Sequence, residues 1–268
     1  MNNTNRTVWI VVAVLVVLLL CCCVALVIGA AFTGLVATAP QIREGGIGWV
    51  EKQTEQTFTV GDAPTVEIDN FAGDIVVESG ESGQVRAIAT RKAGNDRNLE
   101  RIEIDLIESD DGLQIRTSCP NTSIGNLSVE LELFVPADAR LTLETGAGDV
   151  EVDDVEGTIR AQTGAGNVRV DGADAPMALA TGAGDIDYAG EPRGECTFDT
   201  GVGNVTLRLP DSLAAEIELT TGIGSIDLGG FEVDGETSGN EVEGTVGAGD
   251  AANIEAETGA GDITIIRQ

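Results

Sequence analysis

The sequence has no histidine, only nine aromatic residues in 268, and just 15 basic residues against 45 acidic ones. Without histidine there is no imidazole general acid or base, no Ser-His-Asp or Cys-His nucleophile system, and no His-ligated zinc or iron. With so few aromatic rings, a sugar-stacking platform has little to be built from. The formal net charge of -30 repels nucleic acid and anionic lipid, so no nucleic-acid partner is expected. Lysine is scarcer still, since Lys52 and Lys92 are the only two; this composition suits a high-salt habitat and equally a secreted protein of low pI.

Charge is absent altogether from residues 8–28, "VWIVVAVLVVLLLCCCVALVI". A helix of that length crosses the ~30 Å hydrocarbon layer of a bilayer. The run exceeds the core of a cleavable signal peptide, and Leu19 and Leu20 stand where small residues would precede a lipid-bearing cysteine, so a retained anchor is the expectation. Cys21, Cys22 and Cys23 then read as small hydrophobes in the span. The resulting organisation is a short cytoplasmic tail at 1–7, a transmembrane helix at 8–29, a Gly-rich polar tether at 30–56 and an extracytoplasmic domain at 57–268.

The second half is a repeat. "TGAGDV" at 145 recurs as "TGAGNV" at 163, "TGAGDI" at 181, "TGVGNV" at 200, "TGIGSI" at 221 and "TGAGDI" at 258, with spacings of 18, 18, 19, 21 and 37. The last spacing is about two periods, so a degenerate copy is expected near 240, with "TSGNEV" (237–242) and "VGAGDA" (246–251) as candidates. Weaker copies stand at 122 ("TSIGNL") and 70 ("NFAGDI"). Apolar residues alternate on both sides of each corner, for example Leu141, Leu143, Val150 and Val152, then Ile159, Ala161, Val168 and Val170. A period of two marks strands with one buried face. Units of about 18 residues cannot bury that face alone, but stacked copies share one core, which predicts an all-β fold: a single-stranded β-helix, or β-solenoid, of nine or ten coils.

Within the corner, glycine supplies the sharp turn. The middle residue (Ala147, Ala165, Ala183, Val202, Ile223 or Ala260) is expected to plug the corner from inside. The acid or amide after the second glycine, reading Asp149, Asn167, Asp185, Asn204, Ser225, Asp262, should stack on its counterpart one coil away, and the alternation largely avoids like charges. Glu151, Arg169 and Asp187 repeat that device on the outer face. The first half is less regular. Val66 and Ile68 open the repeat, residues 85–118 interrupt it with longer strands and the basic stretch "RKAGNDRNLER", and two strands flank Pro136 before the array begins.

The anchor, the acidic β-strand domain and the recurrent "TGAGD(I/V)" corners resemble the bacterial putative-adhesin family of unknown function. The resemblance covers roughly residues 57–268 and implies a single-stranded β-helix at the cell surface or in the envelope. It brings no catalytic residues with it.

Other chemistries fit less well. A phosphate loop occurs once, between a strand and a helix, whereas this hexamer recurs between strands. Calcium-binding solenoid turns repeat every nine residues behind a Gly-Gly pair, and here half the stacked positions are Asn or Ser. A polysaccharide-cleaving site would need clustered acids with a nearby Arg, or two opposed carboxylates, beside a groove; Asp185, Asp187, Arg169 and Glu151 read better as ladder partners on a solvated face. Cys119 and Cys196 stand about four coils apart, ~19 Å at strand spacing, too far for a disulfide. The basic stretch reads as a solvated loop, with an acidic partner or the chain's own acidic body as alternatives. No catalytic, cofactor or metal residue is therefore expected. The sequence points to a membrane-anchored, non-enzymatic envelope interaction module with an unknown surface partner. Alternative roles are a calcium-binding solenoid or a homo-oligomeric scaffold stacking end to end through an open C-terminal strand, "DITIIRQ"; the family resemblance adds an envelope-stress sensor component.

Overall fold

The computed structural model describes residues 41–44, 49–109, 112–119, 127–248 and 251–268. The expected span at 8–29 lies outside them, and among the described residues no helix is long and apolar enough to cross a membrane.

In chain order, β1 (Gln41–Glu44) and β2 (Val50–Thr59) pair antiparallel, and β3 (Thr65–Asn70) turns through the corner at 70 into β4 (Ile75–Ser79). Next come β5 (Gln84–Ala93), a one-turn helix α1 (Asp96–Leu99), β6 (Glu103–Ser109), β7 (Gly112–Ser118) and β8 (Leu127–Val135). The array follows as two-strand coils: β9 (Arg140–Thr145) with β10 (Val150–Asp153), β11 (Ile159–Thr163) with β12 (Val168–Asp171), and β13 (Met177–Ala183) with β14 (Ile186–Ala189). It continues through β15 (Gly194–Val202) with β16 (Val205–Leu209) and β17 (Ala215–Thr221) with β18 (Ile226–Asp227). A hairpin of β19 (Val233–Ser238) and β20 (Glu241–Val246) precedes the last coil, β21 (Ala252–Ala260) with β22 (Ile263–Arg267).

One strand of each coil joins each of two 11-stranded sheets. Sheet A runs β1-β2-β5-β8-β4-β10-β12-β14-β16-β22-β18, and sheet B runs β19-β20-β17-β21-β15-β13-β11-β9-β3-β7-β6. The coils pair parallel and in register, so Ile159 lies between Leu141 and Met177, and Val168 between Val150 and Ile186. Their alternate residues close into one continuous core, in which Leu143, Val152, Ala161, Ile186, Tyr188 and Phe198 are buried. This is the all-β solenoid that the period of two predicts.

Four expectations are corrected. Coil order departs from sequence order at both ends: β3/β4 lies between β7/β8 and β9/β10, and β21/β22 lies between β15/β16 and β17/β18. Identical corners accept one another in any order, so spacing along the chain could not reveal this. The segment near 240 is no coil. Gly239 and Asn240 form the two-residue turn of the β19–β20 hairpin, whose strands pair antiparallel. The C-terminal strand is not the edge of its sheet either: β22 pairs with β16 along its whole length, and on its other side with β18 at Ile263 and Thr264. The edges of sheet B are β6 and β19, whose acids suit strands that face solvent. Finally, residues 50–56, read as tether, belong to β2, which pairs over its whole length with β5. Lys52, Thr54 and Gln56 share the face of buried Phe58, opposite Arg91, Ala89 and Ala87, and these polar residues hid the period of two.

Candidate functional site

Each hexamer corner carries an inner ladder, a glycine frame and an outer ladder. The inner ladder is threonine. Thr145, Thr163, Thr181, Thr200, Thr258 and Thr221 are all buried, and each hydroxyl donates to a glycine carbonyl of the neighbouring coil. The acceptors are Gly73 (3.0 Å), Gly148 (2.8 Å), Gly166 (2.8 Å), Gly184 (2.9 Å), Gly203 (2.8 Å) and Gly261 (2.8 Å) in that order. Asn70 takes the threonine's place in β3, donating to the Gly73 and Val129 carbonyls at 3.1 and 2.9 Å. These bonds satisfy carbonyls that the tight corner would otherwise leave unpaired.

The two glycines serve different ends. The second has positive φ, +140° at Gly148 and +143° at Gly166, where a side chain would be strained. The first, as at Gly164, lies against the Gly146 carbonyl of the coil beside it, in the space a Cβ would need. The residue between them faces outward, which overturns its reading as an inward plug. Ala147, Ala165 and Ala183 are exposed, Val202 is 60% exposed and Ile223 is 77% exposed. With the corner's interior already filled by threonine, this side chain has only solvent to enter. Threonine was the missed residue, and its presence at the head of all six strong copies was the available signal.

The outer ladder runs Asp74, Asp149, Asn167, Asp185, Asn204, Asp262, Ser225. Each member's Oδ1 accepts the backbone N–H of the next, at 2.9, 2.7, 2.9, 2.7, 2.9 and 2.8 Å. Asn167 and Asn204 also donate their side-chain amides to Asp149 and Asp185 at 3.2 and 3.3 Å, and the Ser225 hydroxyl donates to Asp262 at 2.9 Å. An aspartate followed by an amide or hydroxyl thus receives two donors. The alternation, broken at Ser225 when read along the chain, is restored by the insertion of Asp262 before it.

The residues weighed for catalysis are dispersed. Asp185 belongs to the corner ladder. Arg169 contacts Glu151 at 3.6 Å and Asp171 at 3.4 Å, while Asp187 pairs with Arg208 at 3.1 Å. Within the basic stretch, Arg91 donates to the Ile102 carbonyl at 3.3 Å and Lys92 pairs with Glu130, so both are held by the protein's own body. Cys119 and Cys196 are free, and the strand order β7-β3-β9-β11-β13-β15 separates them by five steps rather than four. Burial raises the pKa of the Cys196 thiol. Burial likewise pushes the Tyr188 phenol up, and its hydroxyl donates to the Ala173 carbonyl at 2.7 Å. Both groups are protonated core members near neutral pH. Among the described residues, no cluster of three or more acid or cysteine side chains is placed to hold a metal ion.

The outer faces of the sheets differ in charge. On sheet B the adjacent strands β15, β21, β17, β20 and β19 contain ten acids and no Lys or Arg. Glu255, Glu218, Glu243 and Glu236 stand in register across four of them. On sheet A, cations and acids interleave through Arg169, Arg208 and Arg86, the last paired with Glu55 at 3.4 Å.

A known structure shares this architecture, and a second gives a weaker match. A putative cell adhesion protein from Clostridium sporogenes is 17% identical with a TM-score of 0.51, over 81% of this chain and all of that one. A putative adhesin from Bacteroides fragilis is 10% identical with a TM-score of 0.34, over 80% of this chain and 97% of that one. Neither is described as an enzyme. No curated protein matches the sequence significantly. Residues 64–266 match the family described as Toastrack DUF4097, and on that match the chain belongs to the Toastrack DUF4097 family.

Proposed function

We propose that this protein is a membrane-anchored interaction module of the bacterial envelope, adhesin-like and without catalysis, displayed outside the cytoplasmic membrane by the span at 8–29. One observation carries the reading: the acids and amides of the corners are bonded to one another, the arginines of sheet A are paired with neighbouring acids, and among the described residues no reactive groups converge on the two broad outer faces. A stack of in-register coils is rigid and extended, suited to presenting a surface. Its acid-rich sheet B face disfavours polyanions, so the expected partner is an envelope or surface protein.

Export and binding are tested together. In intact cells carrying the full chain, externally added protease should remove the 57–268 domain while cytoplasmic markers survive. Affinity capture through that domain from an envelope extract should return a partner that competes with free domain. A domain cut only after lysis would sink the placement, and capture that free domain does not compete would sink the binding role.

A further inference from the structure

We propose that the C-terminal coil, β21/β22, is an exchangeable insert: when it leaves, β17/β18 close directly onto β15/β16 in the same register, giving the stack a second order of coils. The match of the surfaces on its two sides is the first support. Along β15, Gly194, Cys196, Phe198 and Thr200 align with Ala252, Ile254, Ala256 and Thr258 of β21. Those four residues align in turn with Ala215, Ile217, Leu219 and Thr221 of β17. Removing β21 therefore brings Thr200 to Thr221 and Phe198 to Leu219, with no shift along the strand.

The corner bonds survive the change. The insert receives the Gly203 N–H at the Ala260 carbonyl (3.0 Å) and passes its own Gly261 N–H to the Ile223 carbonyl (2.9 Å). In the closed order the Gly203 N–H meets the Ile223 carbonyl. The Val205 N–H passes in the same way from Asp262 to Ser225. Asn204 Oδ1 exchanges the Asp262 N–H for that of Ser225, and the Thr221 hydroxyl turns from Gly261 to Gly203. The bonds of the corner itself are all re-formed; beyond it β16 gives up its pairing at Leu207–Leu209, because β18 matches β22 only at Ile226 and Asp227.

Chain connection is the second, independent support. Five residues, 154–158, join β10 to β11, and five, 172–176, join β12 to β13, each bridging coils that are direct neighbours. Residues 210–214, also five, join β16 to β17 although a whole coil lies between them. That link has the length the closed order needs. Departure also separates Glu255 from Glu218 and Glu257 from Asp199, like charges that the inserted order holds side by side. What holds the insert is the burial of Ile254, Ala256, Ile263 and Ile265.

Cysteine pairs distinguish the two orders in the full-length chain. Residues 199 and 220 both align with Glu257, so in the inserted order they lie two strand spacings apart, ~9.6 Å. That exceeds the ~7 Å a disulfide tolerates, whereas in the closed order they are direct neighbours. With oxidised glutathione as oxidant, D199C/E257C should form an intrachain disulfide promptly. D199C/T220C should form one slowly, as a reductant-sensitive mobility shift, and the trapped chain should then be cut at Glu255 and Glu257 by a Glu-specific protease. The unsubstituted chain is the blank for the protein's own five cysteines. A chain ending at residue 250 and carrying D199C/T220C should bond promptly, because nothing opposes closure. Absence of the 199–220 bond in the full chain, with the 199–257 bond present, overturns the proposal even if the shortened chain bonds. Absence in the shortened chain overturns the closed order itself.

Discussion

The coils β9 to β16 and the coils beyond them are built from the same hexamer, yet they solve the charge problem differently. In the middle of the stack, Asp149, Asn167, Asp185 and Asn204 alternate along the corner, and Arg169 and Arg208 answer the acids of sheet A. At the C-terminal end, sheet B places four glutamates in register with no cation on those strands. Ile226 and Leu228 there are only partly buried, whereas their counterparts Val168 and Val170 are fully so. Repeating a motif therefore fixes geometry but not stability: the middle is closed on both sides by its own kind, and the end is closed by a hairpin. Hydrogen exchange should follow this division, slow in β9 to β16 and faster in β17 to β20.

The largest effect expected is at Phe198. It is fully buried with its ring centroid 5.5 Å from that of Tyr188, so Phe198→Ala should cost about 3–5 kcal/mol in denaturant unfolding. Phe231 caps the far end beneath the Arg267 guanidinium, 4.4 Å from its ring centroid. Phe231→Ala should cost about 2 kcal/mol and loosen only the C-terminal strands. Equal losses at the two sites would erase the distinction between middle and end. Next in size is Thr181→Val, which keeps the shape but strips the donor from the Gly166 carbonyl. It should cost about 1–3 kcal/mol, read as a lowered Tm.

Charge reversal of the comparison comes third. Glu218→Gln with Glu243→Gln removes two central members of the in-register row, and should stabilise by about 0.2–1 kcal/mol at low salt, with the gain fading as salt rises. Arg169→Gln in the middle should move stability the other way, because Glu151 and Asp171 lose their shared cation. If both changes moved Tm in the same direction, charge placement would not be what separates the regions. Calcium bears on the same contrast. The Asp149, Asp185 and Asp262 Oδ1 atoms already accept donors from the next coil, so millimolar calcium should leave Tm unmoved.

Much of the middle was legible in the sequence, because a period of two and a spacing of 18 or 19 are direct consequences of parallel coils in register. Leu143, Val152, Ala161 and Phe198 could be assigned to the core on that basis alone, and the outer Asp/Asn ladder followed from the corner's position. The inner and outer sides of the corner were not legible. Ala147 and Ala165 are apolar but exposed, while Thr163 and Thr181 are polar but buried, so hydropathy points the wrong way where a hydroxyl is needed to satisfy a carbonyl. Coil order was not legible either. Strands of equal register carry no label saying which neighbour they prefer, and only the ladder's broken alternation at Ser225 hinted that Asp262 belonged before it. The strand at 85–90 was legible, but its antiparallel partner β2 escaped because Lys52, Thr54 and Gln56 occupy positions where the pattern calls for apolar residues.

The smallest effect concerns an exception inside the regular middle. Asp153 stands in register with Asp171 on sheet A, and its pKa is raised, first by partial burial and then by Glu151 and Asp171, with Arg169 opposing. A carboxyl whose folded pKa lies above its unfolded value of about 3.9 binds its proton more tightly in the folded state. Its contribution to stability is therefore present at low pH and lost as pH rises through the folded pKa. Asp153→Asn should consequently raise stability at pH 7, by less than about 1 kcal/mol since the group is partly solvated. The gain should disappear below the ordinary carboxylate range, where the native side chain is also neutral. A gain that persists at pH 3 would mean that Asp153 strains the coil by its packing and not by its charge.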